Sequence, residues 1–497
     1  MTGWRQWAPG SGPAVASLFH RLFGLISLAA WWSLGSQVRV LIGSRGLLPA
    51  ADFMDAVRAA GVSIFDVPTL FRFVHGDAVL VGGTFVGAAL SIAALLGWRP
   101  RICFAISTAL YLSYATVSRD FLSFQWDNLL LECGLLAAFL PRDRAAPLVH
   151  FLFRVVLFKL YFESGVAKWQ SPIHDWRDGS AMTFYYETAP LPTWLAVAAH
   201  HLPAWWHHLE SRAVLVLELI VPFFIFSPRP LRLAAAVTFW LFQIGNAATA
   251  NYGIFCYLSA ALGVFLLDDA DVQRSAERLA RLMPARWKVL RARTRDGTPP
   301  RAAAVWAGRA GAGLFLLMSL AEALALFTES GPALPLVGTL FDLNQRFRLV
   351  NSYHLFASVT RERIEPQFET RDAPLTDVED DGAWTERDLR WKAGDPRRAP
   401  GFVAPHQPRV DFQLWFYGLS FQRREPPYVT ALVEKLCNDA ASVQPLFRDP
   451  LSPHPTAVRI VYWQYQFASA TERSQGTWWR RARAAESRAI PCSGLRP

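Results

Sequence analysis

A run of twenty residues without a single charge constrains the fold of this chain more than any other feature. The run extends from Ala78 to Gly97 and consists almost entirely of apolar side chains. A helix needs roughly 20 mainly apolar residues to cross about 30 Å of hydrocarbon, and within a bilayer it satisfies its own backbone hydrogen bonds. We therefore predict a membrane-spanning helix here. An apolar fraction of 52%, with 20 Trp and 35 Phe, excludes disordered, collagen-like and disulfide-framework proteins.

Eight further stretches are apolar enough to predict additional spans. They are Ala14–Val38, Ile102–Ser118, Phe121–Leu140, Leu148–Val166, Ala213–Ser227, Leu233–Ala250, Tyr252–Leu267 and Val305–Thr328. Two of them fit the expectation poorly, because Ala213–Ser227 is short and Leu148–Val166 contains several ionisable side chains. The sequence thus predicts a polytopic α-helical membrane domain of about nine spans over residues 1–328.

The distribution of arginine among the short loops predicts how this domain is oriented. With nine spans, the turns that carry Arg99, Arg142 and Arg229 fall on the same side as the basic loop 268–304, and lysine and arginine accumulate in cytoplasmic loops. The amino terminus then lies in the cytoplasm, whereas loop 169–210 and everything after residue 328 lie outside. Loop 41–76 disagrees with this assignment, because its arginines fall on the outer side.

Charge and codon usage predict the compartment and the partners. Only five lysines accompany 45 arginines, a ratio typical of GC-rich bacterial genomes. We predict an integral protein of the bacterial inner membrane, or of the endoplasmic reticulum membrane if the source is eukaryotic. The net charge of +10 lies largely in Arg274–Arg309, and such juxtamembrane clusters contact anionic lipid. Membrane lipid is therefore a predicted partner, and nucleic acid is not.

The composition changes after Thr328, where alternating strands and prolines replace the long apolar runs. Residues 329–497 are predicted to form a β-rich α+β soluble domain outside the cytoplasm. The clearest strand is Ala457–Ala468, which alternates between two apolar faces, and the spacing of Val429, Leu432, Val433 and Leu436 predicts an amphipathic helix. Cys437 and Cys492 also lie here. They can pair if their Cα atoms come within about 7 Å, which the sequence leaves open.

Ionisable groups within the apolar stretches are the first functional candidates, because they are costly in a membrane. They include Asp127, Glu163 and Lys168. Lys159 and Glu163 are four residues apart, so an ion pair within one helix is the structural alternative for them. Likewise, Gln243 and Asn246 share a helix face and can reach Glu218 of another span.

The stretch Phe162–Pro192 is the densest in polar and aromatic side chains. It contains Asp175, Trp176, Arg177, Asp178, Tyr186 and Glu187. Two interpretations remain open for these residues. In the functional one they line a water-filled vestibule at the membrane surface, and in the structural one they cap a re-entrant loop.

No motif of a common soluble enzyme class is present. The sequence has no Walker loop, Gly-x-Ser-x-Gly elbow, His-Glu-x-x-His or dinucleotide fingerprint. His200 and His207 are two helical turns apart and could hold a metal with Glu210, yet such residues are equally suited to an interfacial helix. We predict neither a metal site nor a cofactor.

Two further candidate groups lie in the C-terminal domain. Arg348, Asn351, Arg361 and Glu365 are predicted to form one polar network facing the membrane domain, with a strand carrying the first two. The second group lies in Pro405-His406-Gln407-Pro408-Arg409, where two prolines stiffen the chain and push the preceding residues into extended geometry. His406 and Gln407 either contact a client or dock on the domain core, and Arg409 suits bidentate carboxylate binding.

Several of these motifs together resemble one known family. They are Trp126-Asp127-Asn128 with Glu132, Ser164-Gly165-Val166 with Lys168, Trp176-Arg177-Asp178, Tyr186-Glu187-Thr188, Phe347 to Asn351 with Tyr353 and Phe356, Thr360 to Glu365, Pro400 to Phe416, and Trp478-Trp479. Over about residues 112–481 the chain is similar to the lipase maturation factor family. That family more often has His at Tyr185, Gln at Ala189 and Gly at His354, so no role is transferred to these three positions.

The resemblance implies a polytopic membrane protein whose C-terminal domain faces the secretory side and which helps secreted lipases reach their active form. From it we predict a maturation or folding factor for exported client proteins. A second, weaker likeness connects Ser164 to Lys168, Asp175-Trp176 and Gly179 to Met182 with the membrane module of vitamin K-dependent carboxylases. This likeness implies an enzyme with Lys168 as base, an alternative that we favour less than a non-enzymatic function.

Overall fold

A computed structural model describes residues 12–74, 76–282, 302–328, 335–374 and 384–495. The predicted cytoplasmic loop 268–304 begins as a helix, Asp269–Leu282, and its residues 283–301 lie outside the described ranges. The first residues of the predicted C-terminal domain, 329–334, also lie outside them. Residues 375–383 are not described either.

Helices make up the first part of the chain. In chain order they are α1 (Pro13–Gly35), α2 (Val38–Ile42), α3 (Ala50–Ala59), α4 (Asp77–Leu95), α5 (Pro100–Val117), α6 (Gln125–Phe139), α7 (Pro147–Trp169), α8 (Asp175–Asp178), α9 (Ala181–Thr188), α10 (Trp194–His200), α11 (Ala204–Leu219), α12 (Arg229–Thr249), α13 (Phe255–Leu262), α14 (Asp269–Leu282), α15 (Ala302–Thr328) and α16 (Pro335–Phe347). Proline begins several of them, where its missing N–H is not needed.

Three helices in the described residues are long and apolar enough to cross a membrane. They are Pro13–Gly35, Asp77–Leu95 and the Val305–Leu326 part of α15. The other predicted spans coincide with helices that are shorter or more polar, such as α7, which carries His150, Arg154, Lys159, Glu163 and Lys168. The count of nine spans therefore stays a prediction.

The arginine-bearing turns lie together at one end of the helical bundle. Arg142 Nη2 donates to Ser17 Oγ at 3.0 Å and its Nη1 to the Gly97 carbonyl at 3.4 Å. Arg229 and Arg232 both bind Asp268, at 3.1 and 2.7 Å. The turns that the charge pattern places on one side are therefore adjacent in space.

The C-terminal region contains an antiparallel sheet of five strands. These are β1 (Arg363–Arg371), β2 (Trp384–Arg387), β3 (Ala457–Phe467), β4 (Trp479–Glu486) and β5 (Ile490–Pro491). Their order is β2-β1-β3-β4, and β5 pairs with the start of β3. The predicted strand is present as β3, and Val458, Ile460 and Val461 are almost completely buried, so both of its faces are covered.

Helices pack beside this sheet. They are α17 (Arg409–Gly418), α18 (Pro427–Asn438), α19 (Ala440–Val443) and α20 (Ala470–Ser474). The predicted amphipathic helix is α18, whose apolar face is buried. A disulfide joins its Cys437 to Cys492, with the Cα atoms 5.3 Å apart. Helix α17 lies so close to β1 that a Cβ on Gly418 would stand 2.2 Å from the Ile364 carbonyl oxygen, and glycine is required there.

The C-terminal region packs on the end of the bundle opposite the arginine turns. Gln407 N donates to Ser33 Oγ near the end of α1 at 2.8 Å, and Val403 N donates to Asn251 Oδ1 at 2.7 Å. Phe467 N donates to Glu187 Oε1 at 2.6 Å. All three acceptors belong to the end that the charge pattern places outside, as does the C-terminal region itself.

Candidate functional site

The segment between α16 and β1, residues 348–362, crosses the face of the helical bundle without regular structure. We call it the connecting segment. The predicted strand over Arg348 to Asn351 is wrong: Arg348 has a φ of 50°, which ends helix α16 in the left-handed region. A chain without a helix or a partner strand must satisfy its backbone hydrogen bonds through side chains or water. Most of the side chains that do so here belong to the motifs; Asn344, which accepts from Val350 N, and Gln125, which accepts from His354 N, do not.

Three carboxylates of the helical part accept hydrogen bonds from the backbone of the connecting segment. Glu132 Oε2 accepts from Asn351 N at 3.2 Å, and Glu163 Oε2 accepts from Tyr353 N at 2.8 Å. Further along, Asp175 Oδ2 accepts from Val359 N at 2.7 Å. All three carboxyl groups are almost completely buried, so these N–H groups of the segment have acceptors in buried places.

Two donors bind carbonyl oxygens of the same segment. Lys168 Nζ donates to the Leu355 carbonyl at 2.8 Å, and Trp176 Nε1 donates to the Phe356 carbonyl at 3.1 Å. Phe356 has a φ of 52°, so the chain turns here. Motif residues from α6, α7 and α8 thus fasten the connecting segment along its length.

Lys159 pairs with Glu132 rather than with Glu163, contrary to the predicted ion pair within α7. The Lys159 Nζ lies 3.0 Å from Glu132 Oε1 on the neighbouring helix α6. Tyr353 OH donates to the other oxygen of Glu132 at 2.6 Å. Lys159 thus pairs with the carboxylate of the neighbouring helix, which also accepts from Tyr353, and not with the carboxylate of its own helix. Glu163 is therefore available to bind the connecting segment.

Lys168 and Glu218 lie at the wall of a cavity of about 60 Å³ between α7, α9, α11 and α12. Their side chains approach to 2.8 Å, and the ammonium stands 5.2 Å from the centre of the Trp176 ring. Close helix packing makes this possible, since a Cβ on Gly165 would stand 2.8 Å from the Glu218 Cβ. Gln243 also lines the cavity, but its Nε2 donates to Tyr161 OH at 2.9 Å and not to Glu218, contrary to prediction.

The candidates between 175 and 187 divide into buried and exposed groups. Asp175 and Trp176 are buried against the connecting segment. Tyr186 donates to Glu210 Oε1 at 3.0 Å, and Glu187 accepts from Phe467 N of β3. Burial raises the pKa of the Glu187 carboxyl. Arg177 and Asp178 are exposed. Four of the six residues therefore contact other parts of the protein from buried or half-buried positions, and two lie at the surface.

Arg409 does bind a carboxylate bidentately, and that carboxylate is Asp127 of the same chain. The two Nη–Oδ distances are 2.5 and 2.8 Å. Tyr111 OH donates to Asp127 Oδ1 at 2.7 Å, and Arg409 Nη1 also reaches the Phe121 carbonyl at 3.2 Å. Only 2% of Arg409 is exposed, and both of its Nη atoms donate to groups of the protein itself.

His406 and Gln407 dock on the helical bundle. His406 Nδ1 lies 3.1 Å from Ser33 Oγ, and Gln37 Nε2 donates to the Gln407 carbonyl at 2.9 Å. Only 2% of Gln407 is exposed. Burial lowers the pKa of His406 to about 4, and the nearby positive charge of Arg409 contributes to this shift. The segment thus docks, but on the helical bundle and not, as the structural interpretation had it, on the core of its own domain.

The predicted network of Arg348, Asn351, Arg361 and Glu365 is present only in its first half. Asn351 Nδ2 donates to the Arg348 carbonyl at 3.1 Å, and both side chains reach Asn128, at 3.5 and 3.4 Å, whereas Arg361 and Glu365 have other partners. Arg348 Nη1 donates to the Leu122 carbonyl at 2.7 Å, while Asn351 binds Glu132. Arg361 is exposed, with its guanidinium 5.5 Å from the Phe184 ring centre.

Glu365 belongs to a buried cluster inside the sheet region. It binds Arg363, at 2.5 Å, and Lys392. Burial lowers the pKa of Lys392, which the Glu365 charge opposes. Arg363 in turn donates to the Glu187 and Pro190 carbonyls, both at 3.0 Å. This cluster therefore joins β1 to the segment after α9.

Comparison with known proteins decides the relationship of the chain. A family model described as the lipase maturation factor transmembrane domain matches residues 14–274, which is more than half of the chain. A second, described as the lipase maturation factor C-terminal domain, matches residues 349–489. This chain belongs to the lipase maturation factor family. The predicted resemblance is confirmed, together with a helical transmembrane domain and a C-terminal region that contains a sheet.

Relatives of the family in animals match almost the whole chain. Lipase maturation factor 1 of Bos taurus is 29% identical over 473 residues, which cover 90% of this chain and 83% of the relative. Lipase maturation factor 2 of Gallus gallus is 29% identical over 576 residues, covering 92% and 79%. Lipase maturation factor 1 of Homo sapiens is 27% identical and covers 96% and 90%. No solved structure matches the chain.

Several residues that fasten the C-terminal region escaped prediction. Ser33, Gln37 and Asn251 are uncharged, and nothing in their local sequence marks them as partners of residues more than a hundred positions away. An Asn just after a predicted span was the one available signal. Within the described ranges, no group of three His, Cys, Asp or Glu is placed to hold a metal ion.

Proposed function

We propose that this protein is a membrane-bound maturation factor for exported proteins, secreted lipases among them. The observation that carries the proposal is the match of both family models, in order, along one chain, shared with relatives that are named lipase maturation factors. The internal use of the motif residues supports it. Asp127, Glu132 and Asp175 bind the protein's own groups, as parts of a scaffold do.

Client contact belongs to an exposed patch beside the connecting segment, which we call the outer rim and define as Trp169, Ile173, Arg177, Asp178 and Arg361. All five are exposed. Hydrogen bonds with Ser180 lower the pKa of the Asp178 carboxyl, and the nearby positive charge of Arg361 lowers it further. Trp169 and Ile173 add apolar surface, with 52% and 45% exposed. Mixed polar and apolar side chains suit the transient binding of incompletely folded proteins.

The test is the specific activity of an exported lipase in a strain that lacks this gene. The wild-type chain should restore the activity, and Arg177→Ala with Arg361→Ala should not, at equal membrane abundance. The control is Arg397→Ala with Arg424→Ala, which removes two exposed arginines elsewhere in the C-terminal region. If the amounts and activities of all exported proteins are unchanged when the gene is deleted, the proposal fails.

The enzyme alternative rests on Lys168, which lines the cavity beside Glu218. If Lys168 is a catalytic base, Lys168→Met abolishes function while membrane abundance stays normal. If Lys168 is a fastening residue, as its bonds to Glu218 and Leu355 favour, the same change lowers abundance, since Glu218 becomes an unpaired buried charge. Measuring function per molecule of membrane protein separates the two.

A further inference from the structure

An open cleft of about 990 Å³ lies at the end of the bundle opposite the C-terminal region. It is bounded by α1, the turn between α4 and α5, and the end of α6. Four arginines line it against a single aspartate, Asp143; they are Arg21, Arg99, Arg101 and Arg142. None of these side chains takes part in the fastening of the connecting segment or of the C-terminal region.

Among the described residues, the positive charge of the cleft is largely uncompensated. Arg142 donates to Ser17 and to the Gly97 carbonyl, which are neutral groups, and within the described part of the chain its buried Nε has no hydrogen-bond partner. Arg101 Nε likewise donates to a carbonyl, that of Ala138, at 2.9 Å. Burial and the neighbouring Arg21 charge lower the pKa of Arg142, as expected where like charges meet without a counter-ion.

One wall of the cleft is apolar and open. Leu96, Ile102 and Phe139 line it with 78%, 51% and 59% of their surface exposed. Large exposed apolar side chains are expected where lipid tails cover the protein. A small soluble anion would leave this apolar wall uncovered. A molecule with a charged head and hydrocarbon chains fits both the arginines and the apolar wall of the cleft.

The depth of the cleft agrees with a lipid headgroup. Ser17 at the cleft and Gln37 beneath the C-terminal region are twenty residues apart along α1 and its end, which corresponds to about 30 Å at 1.5 Å per helical residue. This distance is about the hydrocarbon thickness of a bilayer. The arginines of the cleft therefore stand near the polar boundary of the other leaflet.

We propose that this cleft is a binding site for one anionic phospholipid, whose phosphate lies among Arg21, Arg99 and Arg142 and whose chain covers Leu96 and Phe139. Arginine presents donors that match phosphate oxygens bidentately. Basic pockets between membrane helices are suited to acidic headgroups. Lipid bound there would fix the depth of this end of the bundle in the leaflet, and this function does not depend on any client.

Lipid retention by the purified full chain tests the proposal. Native mass spectrometry is run after titration with phosphatidylglycerol or with phosphatidylcholine of the same chains. We expect retention of one phosphatidylglycerol and little phosphatidylcholine. Arg21→Gln with Arg99→Gln should weaken retention about thirty-fold, given the contribution of each arginine near an acidic lipid. Arg21→Gln alone should weaken it less and, since Arg21 is at the cleft wall, leave folding intact.

Matched controls separate a site from general electrostatics. Arg144→Gln with Arg278→Gln removes two exposed charges at the same end of the bundle but outside the cleft, and it should leave retention unchanged. Leu96→Asn tests the apolar wall and should weaken retention without a change of charge. Equal loss in both arginine pairs, equal retention of phosphatidylcholine, or full competition by millimolar inorganic phosphate would each overturn the proposal.

Discussion

Arg409 and Asp127 form a bidentate ion pair. Only 2% of the Arg409 side chain and none of the Asp127 side chain is exposed. Removing two charges from water is costly, so such a pair adds little net stability, whereas breaking it leaves an uncompensated charge inside the protein. The sequence predicted a carboxylate partner for Arg409. It did not predict which one, because Asp127 lies 282 positions earlier and no local spacing connects them.

Asp127→Leu should therefore lower the free energy of unfolding by about 3–5 kcal/mol. The double variant with Arg409→Met should recover much of this loss, because two apolar side chains then replace the pair. Thermal unfolding in detergent measures both. Arg397→Met, at an exposed arginine, serves as the control and should change stability by less than about 0.5 kcal/mol. An equally small effect of Asp127→Leu would contradict the account.

His406 makes the contact between the C-terminal region and α1 sensitive to acid. Its pKa falls from 6.5 to about 4 in the folded protein, so the folded state binds fewer protons than the unfolded one between these values. The stabilisation is complete above pH 6.5 and is lost as the pH falls towards 4. Since Asp411, whose pKa burial raises to about 6, titrates in the same range with the opposite sign, only a comparison isolates His406.

The comparison is between the wild-type chain and His406→Gln, whose unfolding is followed from pH 7.5 to 4. The wild type should lose more stability than the variant over this range, since all other groups titrate in both proteins. Parallel curves would show that His406 does not carry the effect.

The connecting segment shows, at the scale of an element, why local sequence patterns fail. Its residues are neither periodic nor rich in turn formers, and its path is set by side chains of three helices, among them Glu163, Lys168 and Asp175. In contrast, β3 and α18 were predictable because their own alternation and spacing decide which face is buried. The predicted strand over Arg348 to Asn351 failed for want of a partner strand.

Asp175→Ala should loosen the connecting segment, because Val359 N then lacks an acceptor in a buried place. We expect faster proteolytic cleavage within residues 348–362 and a stability loss of about 1–3 kcal/mol. Asp178→Ala is the matched control from the same short helix, since Asp178 is exposed and accepts locally from Ser180 N. Similar cleavage rates in the two variants would remove the special role of Asp175.

The approach of α7 to α11 is the second element that can be tested. Gly165→Ala adds a methyl group 2.8 Å from the Glu218 Cβ and 2.9 Å from the Glu218 backbone carbon, so the helices must separate. We expect a loss of about 1–3 kcal/mol from overpacking in thermal unfolding. Gly308→Ala, where a new Cβ meets nothing within 4 Å, should be neutral or stabilising. A neutral Gly165→Ala would show that the helices have room to move.

At the scale of the whole molecule, two observations of different kind agree. The charge pattern places the turns of Arg99, Arg142 and Arg229 on one side of the membrane, and the structure gathers them at one end of the bundle. Loop 41–76, the exception in the charge pattern, lies with the C-terminal region, since Arg45 binds Asp439. One of the three arginines of this loop is thus used in a contact with the C-terminal region.

The central claim is that the C-terminal region is fastened to the exported end of the membrane helices, where a client is met. Membrane-impermeant maleimide labelling of His454→Cys and Arg144→Cys in spheroplasts tests it most directly, because both positions are exposed. The native cysteines give little background, as Cys103, Cys133 and Cys256 are buried and the other two are bonded. The account predicts labelling at position 454 in intact spheroplasts and at position 144 only after lysis. Labelling at position 144 but not at 454 before lysis would contradict it.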